Sequence, residues 1–178
     1  MNEIKPIVIT GFMGCGKTEV ARALARRLAV ETIDLDEFIT SQTGRTPARL
    51  IDEDGETVFR NIEFEALTNI LQKTTVAVLS LGGGAWIESR NRDVLANAGS
   101  VVVWLDTPFS LCWSRIEATP GDRPLGRTKE QAHELYQRRL AIYQLATVQV
   151  QTTANETADE IAARIEAEVK SSPLFIST

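Results

Sequence analysis

Pro6-Ile-Val-Ile-Thr10 runs without a break into Gly11-Phe-Met-Gly-Cys-Gly16-Lys17-Thr18, after which Val20, Leu24 and Leu28 recur at helical spacing. A short β-branched apolar run suits a buried strand, and the recurrence suits a helix with one covered face. The stretch between them fits G-x-x-x-x-G-K-[ST] with no gap. Glycines there let successive backbone N–H groups turn toward phosphate oxygens, and the helix that follows adds the positive end of its dipole. Lys17 is placed to reach the β- and γ-phosphates, and the Thr18 hydroxyl to ligate Mg²⁺. Gly14, Cys15 and Gly16, with Glu19 just inside the helix, complete the candidate nucleotide contacts. The motif identifies a nucleoside triphosphate; it leaves the acceptor of the phosphate open.

Outward from this loop, strand-like and helical stretches alternate to the end of the chain. Thr32-Ile-Asp-Leu-Asp36, Val76-Ala-Val-Leu-Ser80, Val101-Val-Val-Trp-Leu105 and the weaker Val148-Gln-Val-Gln read as further strands. Long helices are expected over about 17–29, 56–72, 88–98, 129–145 and 157–170. Thr46-Pro47 and Thr107-Pro108 each put a capping threonine before a proline suited to the first helical turn. Thr128-x-x-Gln131 and Thr157-x-x-Glu160 match the capping box. Strands alternating with helices through short connections imply a parallel α/β sheet covered on both faces. Residues 117–128 hold two prolines, two glycines and little apolar content, so a mobile loop is expected there, and a frayed tail after Lys170.

With 178 residues the chain is expected to form a single domain (1–178) with one core. Hydrophobic residues make up 43% and charged residues 24%, as in ordinary globular proteins, and no apolar run is long enough to span a bilayer. The first residues do not read as a signal peptide. Cys15 and Cys112 supply neither a disulfide framework nor metal-ligand spacing, which favours a reducing, cytoplasmic setting. A formal charge of −5 argues against a nucleic-acid surface, and a monomer is expected. Acidic residues gather at 52–56 and 156–168, whereas Arg115, Arg123, Arg127, Lys129, Arg138 and Arg139 crowd one later stretch. A local basic cluster in an acidic chain suits a small anion.

Several residues are candidates for the acceptor side. Asp34 and Asp36, two apart at the end of the second strand, would present both carboxylates to one face, and the carboxyl ends of parallel strands are where ligands bind. Such a like-charged pair is costly without a cation or donors to share it. Arg60 and Glu63 lie three apart on one helical face, which taken alone is an ordinary surface ion pair. Leu81-Gly82-Gly83-Gly84 follows the third strand, and three glycines permit close backbone approach to a ligand. Arg123 falls in the loop, and Arg139 with Tyr143 on the helix beyond it. His133 reads as a surface residue. The three tryptophans read as packing groups, with Trp86 beside the glycines bordering the acceptor pocket.

Taken in order, the chain resembles the shikimate kinases. The matching pieces are Gly-Phe-Met-Gly-x-Gly-Lys-Thr, Asp34-Leu-Asp36, Thr43-Gly-Arg, Phe59-Arg-x-Ile-Glu, Leu81-Gly-Gly-Gly, Arg123-Pro-Leu and Arg139-x-x-x-Tyr, spread from residue 8 to about 145. The resemblance implies a three-layer fold of the nucleoside monophosphate kinase type: a five-stranded parallel sheet flanked by helices. It also implies a substrate-binding section over about 32–72 and a lid over about 116–128. It implies ATP as co-substrate, Mg²⁺, and transfer to the 3-hydroxyl of shikimate in aromatic amino-acid synthesis. Asp36 looks like the aspartate that contacts the ring hydroxyls and can take a proton, and Asp34 like the one that holds Mg²⁺ through water. Arg60 and Arg139 resemble the pair gripping the substrate carboxylate, over a floor at Gly83 and Gly84, with Gly82 as a further substrate contact. Arg123 is similar to the lid arginine on the transferring phosphate, and Arg115 to the arginine stacked on adenine. Lys17, Asp36 and Arg123 thus form the expected catalytic set.

The chain departs from the family at Gly126, where another leucine is usual, and at Ile51, where many members carry a phenylalanine against the ring. These departures motivate an alternative acceptor, another hydroxylated ring acid or a polyol. A nucleotide-binding module without kinase activity is a further reading; it sits poorly with the presence of Lys17, Asp36, Arg60 and Arg139 together, and no Asn-Lys-x-Asp sequence occurs to read guanine.

Overall fold

The computed structural model describes residues 5–73, 77–119 and 124–171. Within them five strands form one sheet: β1 (Ile7–Thr10), β2 (Thr32–Asp34), β3 (Val78–Ser80), β4 (Val101–Asp106) and β5 (Val148–Gln151). Their order across the sheet is β2-β3-β1-β4-β5, and every neighbouring pair is parallel. The β-branched and apolar runs of β1 and β3 are buried throughout, as central strands covered on both faces require. At one edge, β5 alternates between exposed and buried positions, which accounts for its weaker apolar pattern.

Among the described residues eight α-helices accompany the sheet: α1 (Lys17–Leu28), α2 (Leu35–Thr43), α3 (Pro47–Asp54), α4 (Glu56–Lys73), α5 (Ser89–Asn97), α6 (Phe109–Ala118), α7 (Lys129–Tyr143) and α8 (Ala158–Ser171). A short 3₁₀ turn covers Ala85–Ile87. α1 packs against β1, β2, β3 and α8, whereas α4 packs against α2, α3 and α5. The core runs through Ile9, Leu24, Leu67, Leu79, Val103 and Ile165, all of them fully buried. Among the described residues no helix is long and apolar enough to cross a membrane.

The five expected long helices match α1, α4, α5, α7 and α8 to within about two residues at each end, the usual uncertainty of helix boundaries. Two local expectations are corrected. The second strand stops at Asp34, because its side chain accepts hydrogen bonds from the backbone N–H groups of Asp36 and Glu37 and so caps α2. Asp36 therefore lies in the first turn of a helix. Thr46 and Thr128 cap α3 and α7 as their sequences imply, but Thr107 does not cap α6. Its hydroxyl pairs with that of Thr152 at 2.6 Å, and Pro108 occupies the cap position. α6 ends at Ala118, close to where the loop is expected to begin; residues 120–123 lie outside the described residues, as do Val76 and the tail from 172.

Candidate functional site

The carboxyl ends of β1, β2 and β3 lie side by side, and each delivers one part of the site. After β1, Gly14 and Gly16 take φ of 78° and 96°, a left-handed backbone that favours glycine, and Gly16 caps α1. Lys17 Nζ donates to the Phe12 carbonyl at 2.9 Å, folding its side chain back over the loop. After β2, Asp34 is shared: Oδ1 caps α2, and Oδ2 accepts from the Thr18 hydroxyl at 2.7 Å. After β3 come Gly82, Gly83 and Gly84, where four side chains converge on the backbone. A Cβ at Gly82 would fall 2.7 Å from Asp36 Oδ1, and one at Gly84 would collide with the Arg60 guanidinium. The carbonyl of Gly83 accepts from Arg139 Nη1 at 3.0 Å and from the Tyr143 hydroxyl at 2.6 Å. Glycine is needed here for close approach.

Two cavities open at these strand ends. The larger, about 490 Å³, is bordered by Gly14, Gly16, Lys17, Thr18, Glu19 and Arg115 together with Asp34. Arg115 donates to the carbonyl of Cys15 at 3.2 Å, which ties α6 to the loop. Cys15 is buried with its thiol inside and does not border this cavity. The smaller cavity, about 150 Å³, has an apolar side that includes Ile51, Phe59 and Leu125 and a polar side of Asp36, Arg60, Glu63 and Arg139. Met13, Asp36 and Gly83 border both. Asp36 is thus on the wall between them.

The electrostatics of that wall are unusual for carboxylates. Burial raises Asp36 from 3.8 to about 6; the like charge of Asp34 adds to this, while Lys17 and Arg60 pull the other way. Glu63, fully buried on α4, is pushed up to about 7 by burial, against the pull of Arg60. Arg60 donates from Nη1 to Glu63 at 2.8 Å and from Nη2 to Glu56 at 3.0 Å. Burial works against the Arg60 charge, but these two carboxylates outweigh it and hold the guanidinium above its ordinary value. What looks in sequence like a surface ion pair is a buried one, only 8% of Arg60 being exposed. Tyr143 lies wholly buried, stacked on Trp104 with ring centroids 5.9 Å apart, so Arg139 one turn earlier projects from a fixed base.

The structure therefore gathers Asp36, Arg60, Gly82, Gly83, Gly84 and Arg139 at one cavity and the phosphate-loop residues with Asp34 and Arg115 at the other. Arg123 lies outside the described residues. Trp86 does not border the cavity: its indole N–H donates to the Ile142 carbonyl at 2.9 Å, within the core. His133 is exposed and packs edge-on to Phe109. Glu63, Met13 and Leu125 are not among the contacts expected from sequence, although Glu63 lies within the Phe59-Arg-x-Ile-Glu segment. Ser80, opposite Asp34 in register, carries a buried hydroxyl with no partner among the described residues. No group of three or more His, Cys, Asp or Glu side chains is assembled among the described residues to cage a metal.

A family model described as shikimate kinase matches residues 13–170. A shikimate kinase of Cereibacter sphaeroides is 35% identical over 177 residues, covering 98% of this chain and 87% of that protein. One from Thermus thermophilus is 34% identical over 165 residues, covering 89% of each. Among solved structures, the shikimate kinase of Acinetobacter baumannii in complex with shikimate aligns with a TM-score of 0.85 at 31% identity, covering 95% of both chains. A sugar kinase from Janibacter sp. shares the fold at a TM-score of 0.66 and 17% identity.

Proposed function

The chain belongs to the shikimate kinase family, and from that premise we propose that it transfers the γ-phosphate of ATP to the 3-hydroxyl of shikimate. The observation that carries this reading is the position of Asp36 on the wall shared by the two cavities. A phosphate donor on one side and a hydroxyl acceptor on the other would meet there, as an in-line transfer requires.

Each group then has a task. The loop from Gly11 to Thr18 takes the phosphates, and Lys17 neutralises the charge that develops on them. Arg115, held on the loop backbone, faces the nucleotide cavity and is assigned to the adenine side. Asp36 orients the attacking hydroxyl and accepts its proton; a carboxyl raised to about 6 is a better proton acceptor near neutrality than an ordinary one. Arg60 and Arg139 offer forked donors suited to the acceptor's carboxylate, with Gly83 and Gly84 as the floor. Ile51, Phe59 and Leu125 provide the apolar side for a ring. Glu63 fixes the Arg60 guanidinium. The role of Arg123 on the transferring phosphate rests on the sequence alone.

Mg²⁺ fits the oxygens present. Thr18 and Asp34 bring a hydroxyl and a carboxylate together beside the phosphate loop, and a site with so few protein donors suits a cation that keeps waters and phosphate oxygens around it. Thr18 would hold it directly and Asp34 through water, and the ion would supply charge neutralisation for the β- and γ-phosphates. We assign the whole chain to one kinase unit, a cytoplasmic monomer, with residues 32–72 as its substrate-binding section.

The test is an ADP-release assay with Mg·ATP, comparing shikimate with quinate, gluconate, a nucleoside monophosphate and no acceptor. Rapid turnover with shikimate alone is expected. Turnover with gluconate or quinate but not shikimate would replace the acceptor while leaving the nucleotide site in place.

A further inference from the structure

The acidic run Asp52-Glu53-Asp54 closes α3, and its members are answered differently. Glu53 pairs with Arg45 and Arg49, and Asp54 with Arg45, all on the same short section of chain. Asp52 instead pairs with Arg127, 75 residues away: Arg127 Nη2 donates to Oδ1 at 2.9 Å and to Oδ2 at 3.1 Å. The segments joined in this way both border the smaller cavity. α3 contributes Pro47, Ala48 and Ile51 to its lining, and the second segment contributes Pro124 and Leu125.

Arg127 is also held firmly at its base. Gly126, just before it, is buried, and a Cβ there would fall 2.7 Å from Met13 Cε and 3.4 Å from Ala132 Cβ. The backbone at 126 is thereby seated between the phosphate loop and α7. Thr128, just after it, caps α7 with its own hydroxyl and the Gln131 side chain. A leucine at 126 could not take this seat without displacing Met13, which borders both cavities.

We infer that Asp52 and Arg127 are positioning residues for the acceptor: their ion pair clamps α3 to the 124–126 segment and fixes the apolar side of the acceptor cavity. The inference rests on that cavity being the acceptor site, as proposed above. Neither side chain borders the cavity itself, so both act through their neighbours on its apolar side, Ile51 and Leu125. The pair is half exposed, at 57% and 42% for the two side chains, so its effect is modest and sensitive to salt.

The test uses the full chain with Asp52→Asn, Arg127→Gln, the double variant, and the conservative Asp52→Glu and Arg127→Lys. Each neutral substitution should raise KM for shikimate about two- to fivefold, the range expected of an exposed ion pair, with KM for ATP and kcat within about twofold. The double variant should be no worse than Arg127→Gln alone, because the shared interaction is lost only once. The charge-conserving variants should stay near wild type. Amide hydrogen exchange, measured without any acceptor, should quicken in 47–54 and 124–128 together in each neutral variant. An unchanged KM for shikimate, additive effects in the double variant, or faster exchange in one segment alone would overturn the clamp. Wild-type turnover of shikimate reports separately on the acceptor: a wild type inactive with shikimate sinks that assignment, and exchange still decides the clamp.

Discussion

Replacing Asp36 by Asn should stabilise the free protein while nearly abolishing its turnover. Burial raises the Asp36 carboxyl from 3.8 to about 6, so ionising it at neutral pH costs the folded state free energy that the unfolded chain does not bear. At about 1.4 kcal/mol per unit, a shift of about two units amounts to about 3 kcal/mol. Asp36 retains partial exposure to two open cavities, and screening there brings the expected gain down to about 1–2 kcal/mol. For a chain of this size that is about 2–8 °C in Tm. The folded pKa lies above the unfolded one, so between about pH 4 and 6 the folded wild type holds the extra proton. Wild-type stability therefore falls as pH rises through that window, and the full cost is present above about pH 6. Asn does not titrate, so the variant's advantage should be greatest above pH 6 and fade as pH drops toward 4. Thermal unfolding of both proteins from pH 4 to 8, without nucleotide, reads this directly. Turnover of the variant should fall about 100-fold or more. A variant no more stable than wild type at pH 7.5, or one whose advantage is the same at every pH, would refute the reasoning.

Three other outcomes are expected. Arg60→Ala should weaken shikimate binding about 30- to 100-fold in calorimetric titrations, with ATP binding within about threefold, because a charge-assisted contact is lost on one side only. It should also cost about 2–4 kcal/mol of stability, the lower part of that range reflecting protonation of the stranded Glu63. Gly84→Ala, whose Cβ collides with the Arg60 guanidinium, should reproduce the loss of shikimate affinity without removing any charge; an unaltered KM for shikimate would mean that Arg60 has room to move. The pH profile of kcat/KM should fall on the acid side through about 6 as Asp36 takes up a proton, and a profile flat down to pH 5 would remove Asp36 as the proton acceptor.

The phosphate loop was legible in sequence because its chemistry needs contiguous residues at fixed spacing, with strand and helix on either side. The alternation of strands and helices was legible for the same reason, since β1, β3 and β4 are buried on both faces and carry unbroken apolar runs. The acceptor side was harder. Asp34-Leu-Asp36 alternates like a strand, and only the cap made by Asp34 turns the chain into α2 one residue later. Arg60 and Glu63 have surface-like spacing, yet both are buried, and Gly84, from beyond the end of β3, lies against the Arg60 guanidinium. Thr107 has the local pattern of a cap, yet Thr152, just past β5, takes its hydroxyl. Met13 and Leu125 border the smaller cavity through tertiary packing that no local pattern announces. Resemblance to a family supplied the proposed roles of Arg60 and Arg139 where spacing alone did not.

The central claim, phosphate passing across the wall at Asp36 to one hydroxyl of shikimate, is tested most directly by ³¹P and ¹H NMR of the product formed from ATP and shikimate. A single phosphomonoester whose phosphorus couples to the proton on C3 is the predicted result. Phosphate on another hydroxyl, or inorganic phosphate with shikimate unchanged, would contradict it.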